Sequence, residues 1–169
     1  MRIYEEKQRF NQWWMLVINF SVIGILLYFM YQWYIAGNAV DKVSSSDYAA
    51  QIAVILMLVL VVALLFLLGL KTTIDENGIQ YQFRPFHRGK KTISWKEMDK
   101  CYTRKYKPIL EYGGWGIKPV PKSNDIAYNV KGNMGIQIHL KNGKKILIGT
   151  QDPDNAQIVI NRYFNNEGI

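Results

Sequence analysis

Residues 49–70 read AAQIAVILMLVLVVALLFLLGL, a run in which Gln51 is the one strongly polar side chain and no residue is charged. A helix needs about 20 apolar residues, at 1.5 Å rise each, to cross a hydrocarbon core roughly 30 Å thick. The segment has that length. Its Leu, Val and Ile fall on every side of a helix rather than along one stripe, so the surroundings must be apolar all round. The reading is a transmembrane helix over 49–70.

Upstream, residues 12–36 also lack Asp, Glu, Lys and Arg. Their centre is apolar apart from Asn19 and Ser21, and their ends carry Trp13, Trp14, Tyr31, Trp33 and Tyr34. Amphipathic rings settle at headgroup level, which suits the two ends of a first spanning helix over 12–36. A secretory signal peptide is the rival, with Arg2, Lys7 and Arg9 as its basic start and Gly37-Asn38-Ala39 as its cleavage site. The apolar run exceeds the roughly 7–15 residues of such a signal and favours the spanning helix. Asn19, Ser21 and Gly24 are read as helix-packing positions. With no charge inside either segment, nothing suggests a proton relay or ion path.

Basic residues set the orientation. Residues 1–11 hold Arg2, Lys7 and Arg9, the loop 37–48 holds only Lys42, and the chain after segment two begins with Lys71 and stays basic. Basic flanks remain in the cytoplasm. The expectation is a two-helix cell-membrane protein with a cytoplasmic N-terminus (1–11), an external loop (37–48) and a cytoplasmic domain (71–169).

The mean hydropathy of −0.08 over 169 residues conceals this division. A single soluble globule is excluded, as are disorder, collagen and a disulfide scaffold: Gly and Pro are modest and Cys101 is the one cysteine. Residues 71–169 carry 17 Lys or Arg against 9 Asp or Glu, a net +8, and are numerous enough for one core.

That domain alternates with period two, the mark of strands. Asn77-Gly78 predicts a tight hairpin pairing Glu76 with Ile79, Ile74 with Tyr81 and Thr72 with Phe83. Asn142-Gly143 predicts another. Here a three-residue loop, Lys141-Asn142-Gly143, pairs Ile138 with Ile146 and Ile136 with Ile148, placing all apolar residues on one face with Gly143 left-handed. Further strands are expected near 91–95, 100–104 and 126–130, with a long loop over 107–122 that includes a short strand near 115–118. Asp152-Pro153 starts a helix, an N-cap followed by proline at the first helical position. Ala156, Val159, Ile160, Tyr163 and Phe164 give that helix an apolar stripe. The expected fold is a membrane α-helical hairpin plus an α+β domain of about seven strands and a closing C-terminal helix.

Three stretches carry a resemblance: residues 111–117 (EYGGWGI), 127–132 (AYNVKG) and 148–153 (IGTQDP). With the strand-then-helix order and the helical hairpin ahead of it, the chain resembles bacterial membrane-anchored pleckstrin-homology-like (PH-like) domain proteins over residues 71–165. The resemblance implies a seven-stranded β-sandwich or partly open barrel capped by the C-terminal helix. It also implies a binding or scaffolding module rather than an enzyme. Eukaryotic relatives bind phosphoinositides through basic residues between their first two strands. Here that loop is Asp75-Glu76-Asn77-Gly78, which is acidic and speaks against the same mode.

Catalytic signals are sparse. His87, His139 and Cys101 stand at no metal-ligand spacing, so no metal or cofactor is expected. His139 is read as a residue of the sheet's polar face. Cys101 lies near Lys100, Arg104 and Lys105, cations that would acidify a thiol, although a passive half-buried cysteine is the plainer reading. Gly113-Gly114-Trp115-Gly116 lacks the Lys-Ser or Lys-Thr of a phosphate loop and reads as a bend, with Trp115 a candidate binding aromatic. The strongest signal is the run 84–107. Arg84, Arg88, Lys90, Lys91, Lys96, Lys100, Arg104, Lys105 and Lys107 outnumber Glu97 and Asp99 by seven. All but Lys107, together with Trp115, are the candidate contacts for anionic lipid headgroups or a membrane protein partner. Nucleic acid is disfavoured for want of a recognition motif. The alternative role is a small accessory subunit of a larger membrane complex.

Overall fold

The computed structural model describes residues 3–10, 13–121 and 123–164. Arg2 and Gln12, used above for orientation and for the start of segment one, lie outside them, as does the domain's end over 165–169.

The chain forms two compact units, one of residues 10–67 and one of residues 1–9 with 68–169. The first is a helical hairpin, α1 (Trp13–Tyr34) and α2 (Tyr48–Leu67). At the start of α2 the Asp47 carboxylate accepts the Ala50 N–H at 3.1 Å, and the Gln51 amide donates to the Ser44 carbonyl at 2.9 Å. Both helices are long and apolar enough to cross a membrane, and little of either is buried: 11% and 6% of their most apolar windows. The core helix of a soluble protein would be mostly covered. Of the packing positions named above, Asn19 is buried and donates to the Met15 carbonyl at 3.0 Å. Ser21 is exposed, and nothing lies within 4 Å of where a Gly24 side chain would stand.

The second unit contains two sheets. The first has the order β1 (Tyr4–Arg9), β2 (Gly69–Asp75), β3 (Gly78–Arg84), β4 (Lys91–Ser94), all antiparallel. After a 3₁₀ turn at Trp95–Glu97 the chain builds β5 (Met98–Lys105), a short helix α3 (Pro108–Tyr112), β6 (Gly116–Pro119), β7 (Ile126–Asn129), β8 (Met134–Leu140) and β9 (Lys145–Thr150). These strands pair in the order β5-β8-β9-β7-β6, with β7 and β9 parallel. Helix α4 (Pro153–Phe164) packs on β1 and β2 of one sheet and on β5 and β8 of the other. It buries Ala156, Val159 and Ile160. The Gln157 side-chain oxygen accepts from the Thr103 N–H and hydroxyl. This is an α+β fold.

The last hairpin has the expected register: Ile138 faces Ile146, Ile136 faces Ile148, and Gly143 takes φ +86°. The first has slipped. Ile74 faces Ile79, Thr72 faces Tyr81, Leu70 faces Phe83, and the loop is Glu76-Asn77. The buried face is unchanged because the slip moves each partner by two residues. Burial alone does not separate registers two residues apart; Leu70 belongs to β2, where it is 1% exposed, not to the second helix.

Two elements exceed the expectation. Residues 107–122 hold α3 as well as β6. Tyr4–Arg9, assigned above to an N-terminal tail, is a strand of the first sheet, so the folded unit begins before the helices and resumes at Gly69. Among the described residues there are nine strands rather than about seven.

Candidate functional site

The candidate cations separate onto different parts of the domain. Arg84 ends β3, and the connection to β4 carries Arg88 and Lys90 before Lys91 opens β4; all four are exposed. Lys96 is exposed on the 3₁₀ turn, and Lys100 and Lys105 are exposed on β5. The run of charge is therefore spread over the end of β3, the β3–β4 connection, the start of β4, the 3₁₀ turn and β5.

Arg104 is half-buried, and four of its five N–H groups are taken. It donates to Gln137 at 3.0 Å, Glu111 at 2.8 Å, Tyr112 at 3.2 Å and the Lys105 carbonyl at 3.3 Å. Its guanidinium holds the Glu111 carboxyl below the usual range, and Glu111 also accepts the Lys107 N–H at 2.7 Å. Arg104 thus ties α3 to β5. Behind it Tyr106, Ala127 and Leu147 form a small second core with Tyr112, which explains why β9 is buried on both faces. Trp115 is half-buried and its indole N–H donates to the Gly132 carbonyl at 3.1 Å.

Two recesses open on this side. One, of about 540 Å³, is lined by Lys105, Lys107, Ile109, Leu110 and Trp115. The other, of about 460 Å³, contains Arg104, Glu111, Asp125, His139 and Lys145. Much of the second recess's polarity is engaged internally: Arg104 with Glu111, Asp125 with the Lys145 N–H at 2.7 Å, and His139 with the Tyr102 hydroxyl at 3.4 Å. Among the described residues no three His, Cys, Asp or Glu converge to hold a metal ion. Cys101 is buried opposite Ile138. Burial pushes its thiol up to about 12, so the neighbouring cations do not acidify it.

The most distinctive local geometry lies in the β3–β4 connection. His87 is its keystone: the His87 N–H donates to the Phe83 carbonyl at 2.8 Å, and the ring Nδ1 accepts the Phe83 N–H at 3.1 Å. The His87 carbonyl accepts from Gln82 at 3.1 Å. The ring meets Tyr81 and Tyr128 edge-on at 5.8 and 5.3 Å. The preceding residue, Phe86, is left 64% exposed. An exposed phenylalanine on a well-fixed loop between Arg84 and Arg88 was not singled out from sequence. The proline before it and the basic residues around it were the available signals.

Burial first, and the nearby Lys91 charge second, depress the His87 pKa. The unfolded chain therefore binds the proton more tightly. Stability from neutral His87 is complete above the ordinary value of about 6.5 and is lost as pH falls through the folded value. Protonation also removes the Nδ1 acceptor. Amide exchange at Phe83, corrected for intrinsic rate, is expected to be faster at pH 5 than at pH 7.5. The difference should vanish in His87→Gln; equal protection at both pH values would refute the keystone role.

No protein-family model matches the chain, and no curated protein matches it.

Proposed function

We propose that this is a non-enzymatic, membrane-anchored binding or scaffolding protein. α1 and α2 span the cell membrane, both termini lie in the cytoplasm, and a PH-like domain there docks anionic lipid headgroups or a protein partner. One observation carries the anchoring: two helices of 22 and 20 residues whose apolar side chains are exposed rather than covered by the protein. Exposed apolar surface of that extent supports a lipid environment for the two helices. The pairing of β1 with β2 supports an even number of crossings, because the chain before α1 and the chain after α2 share one sheet. The two sheets and the helix packed on both support the PH-like reading.

The test is accessibility labelling in intact cells. Ser45→Cys in the inter-helix loop should react with an impermeant maleimide from outside. Asn142→Cys in the β8–β9 turn should react only after permeabilisation. The native Cys101 stays silent, being buried with its thiol pushed up to about 12. Labelling of Asn142→Cys from outside would sink the cytoplasmic placement.

The second reading, an accessory subunit of a larger membrane complex, is favoured by the open position at Gly24 and the exposed Ser21 beside it, which suit close approach of another helix.

A further inference from the structure

Strand register joins three distant parts of the sequence at one end of the first sheet. Arg9 is opposite Gly69, and Gly69 is opposite Arg84. Side chains of paired residues share a face, so Arg9 and Arg84 lie on the same side of the sheet with a residue lacking a side chain between them. Two strand spacings put their backbones about 10 Å apart. The sheet's other face at this end belongs to Gln8, which is buried and donates to the Gly149 carbonyl at 2.7 Å.

The covalent chain limits how far this end can be from the helices. Leu67 closes α2 and Gly69 opens β2, so one residue, Leu68, lies between them, and the two residue steps span at most about 7 Å of extended chain. Arg9 precedes Trp13, the start of α1, by four residues. From Gly69 the sheet leads directly to Arg84 and then to the fixed loop with exposed Phe86 and Arg88. No Asp or Glu occurs between Gly78 and Lys96.

We propose that this edge, Arg9, Arg84, Phe86 and Arg88, is the domain's membrane contact. The arginines pair with anionic phospholipid headgroups of the bilayer that holds α1 and α2, and the Phe86 ring enters the headgroup–acyl boundary. Guanidinium matches phosphate in charge and geometry. A cation within about one Debye length, 8–10 Å, of an anionic surface is attracted to it. An exposed phenylalanine is poorly placed in water and well placed at that boundary. The His87 hydrogen bonds fix the loop beforehand, so little ordering is needed on contact. This assignment rests on the anchoring reading and adds which surface faces the lipid. It also separates Arg84 and Arg88 from Arg104, whose donors serve the fold.

The experiment uses the full chain in phosphatidylcholine vesicles with and without phosphatidylglycerol. A bimane label at Gly89→Cys reports the loop; a side chain there meets nothing within 4 Å. A label at Asn142→Cys is the reference. The expected result is quenching of the Gly89 label by shallow nitroxide lipids, stronger with phosphatidylglycerol, weakened by salt and absent at Asn142. Arg84→Gln with Arg88→Gln should lower the docked-to-undocked ratio about 30-fold, and Phe86→Ser should lower it without abolishing the salt dependence. Flotation with the vesicles but no quenching at Gly89, or quenching indifferent to lipid charge and to both arginines, overturns the contact and leaves anchoring standing. Failure to float overturns the anchoring reading, and the contact with it.

Discussion

Gly78→Ala is expected to cost roughly 3 kcal/mol or more of stability. A methyl group at this position would stand 2.0 Å from the Ile93 carbonyl oxygen and 2.9 Å from its carbon. Those are backbone atoms of β4, so relief requires moving the strand. The φ of +143° is a second obstacle, being a conformation that side-chain-bearing residues rarely adopt. Both effects fall on the turn from β2 to β3, where the Asp75 carboxylate accepts the Asn77 N–H at 2.9 Å and a Gln80 amide hydrogen at 2.8 Å. Thermal unfolding of the detergent-solubilised protein, followed by near-ultraviolet circular dichroism, should show a midpoint lowered by at least about 10 °C. A midpoint within about 2 °C of the parent would mean that β4 does not approach the turn this closely. The loop carrying Phe86 also joins β3 to β4, so this variant should disturb the proposed lipid contact indirectly.

Trp95→Ala is expected to lose about 3–5 kcal/mol. The indole is 3% exposed, stacks on Tyr163 at 6.4 Å, meets Phe164 at 6.0 Å and donates to the Asp75 carbonyl at 2.9 Å. It therefore holds the end of α4 against the 3₁₀ turn and the first hairpin together. Truncation removes an aromatic volume that neighbouring backbone cannot refill. Trp95→Phe keeps most of the packing and loses the hydrogen bond, which is worth about 1–3 kcal/mol when a buried carbonyl is left without a donor. Unfolding of the two variants by urea should rank alanine well below phenylalanine. Equal destabilisation would assign the residue's role to the hydrogen bond alone, and no effect from alanine would refute the docking of α4 at this point.

The helices were legible because uncharged apolar length is visible with no tertiary information: the readings 12–36 and 49–70 contain α1 and nearly all of α2, both long and apolar enough to cross a membrane. The last hairpin was legible for a related reason: Ile136, Ile138, Ile146 and Ile148 share a face with a three-residue loop and not with a two-residue one. The first hairpin slipped because registers two residues apart bury the same face, and Leu70 was placed in the second helix because hydrophobicity does not separate a lipid-facing helix from a protein core. Cys101 shows the same ambiguity for charge. Its cationic sequence neighbours offered an acidic thiol as one reading beside the plainer passive, half-buried one, and the strand points it inward, where burial dominates.

The β1 strand was illegible for a different reason. Its inward side chains are Tyr4, Glu6 and Gln8, which offer no apolar alternation. Their partners are more than 140 residues away. Tyr4 meets the Thr150 hydroxyl at 2.8 Å, and Glu6 accepts from Tyr4, from Thr150 at 2.8 Å and from the Gln151 N–H at 2.8 Å. A polar residue is welcome inside when its hydrogen bonds are met, and the chain order does not show who will meet them. A domain cut at residue 71 would lose β1 together with Gly69 and Leu70.

By itself the amino-acid order determined the two long apolar helices, the mainly β domain after them and the amphipathic helix that follows it, because the first follow from uncharged apolar length and the others from hydrophobic periodicity read over a few turns or strands. Only the tertiary structure decided that residues on both sides of the helices share one sheet, that Arg104 is spent on α3, and that Arg9, Arg84 and the exposed Phe86 belong to one edge. Those outcomes depend on strand register and on hydrogen-bond partners far apart in sequence, and both are set by the closing of the fold rather than by any local pattern.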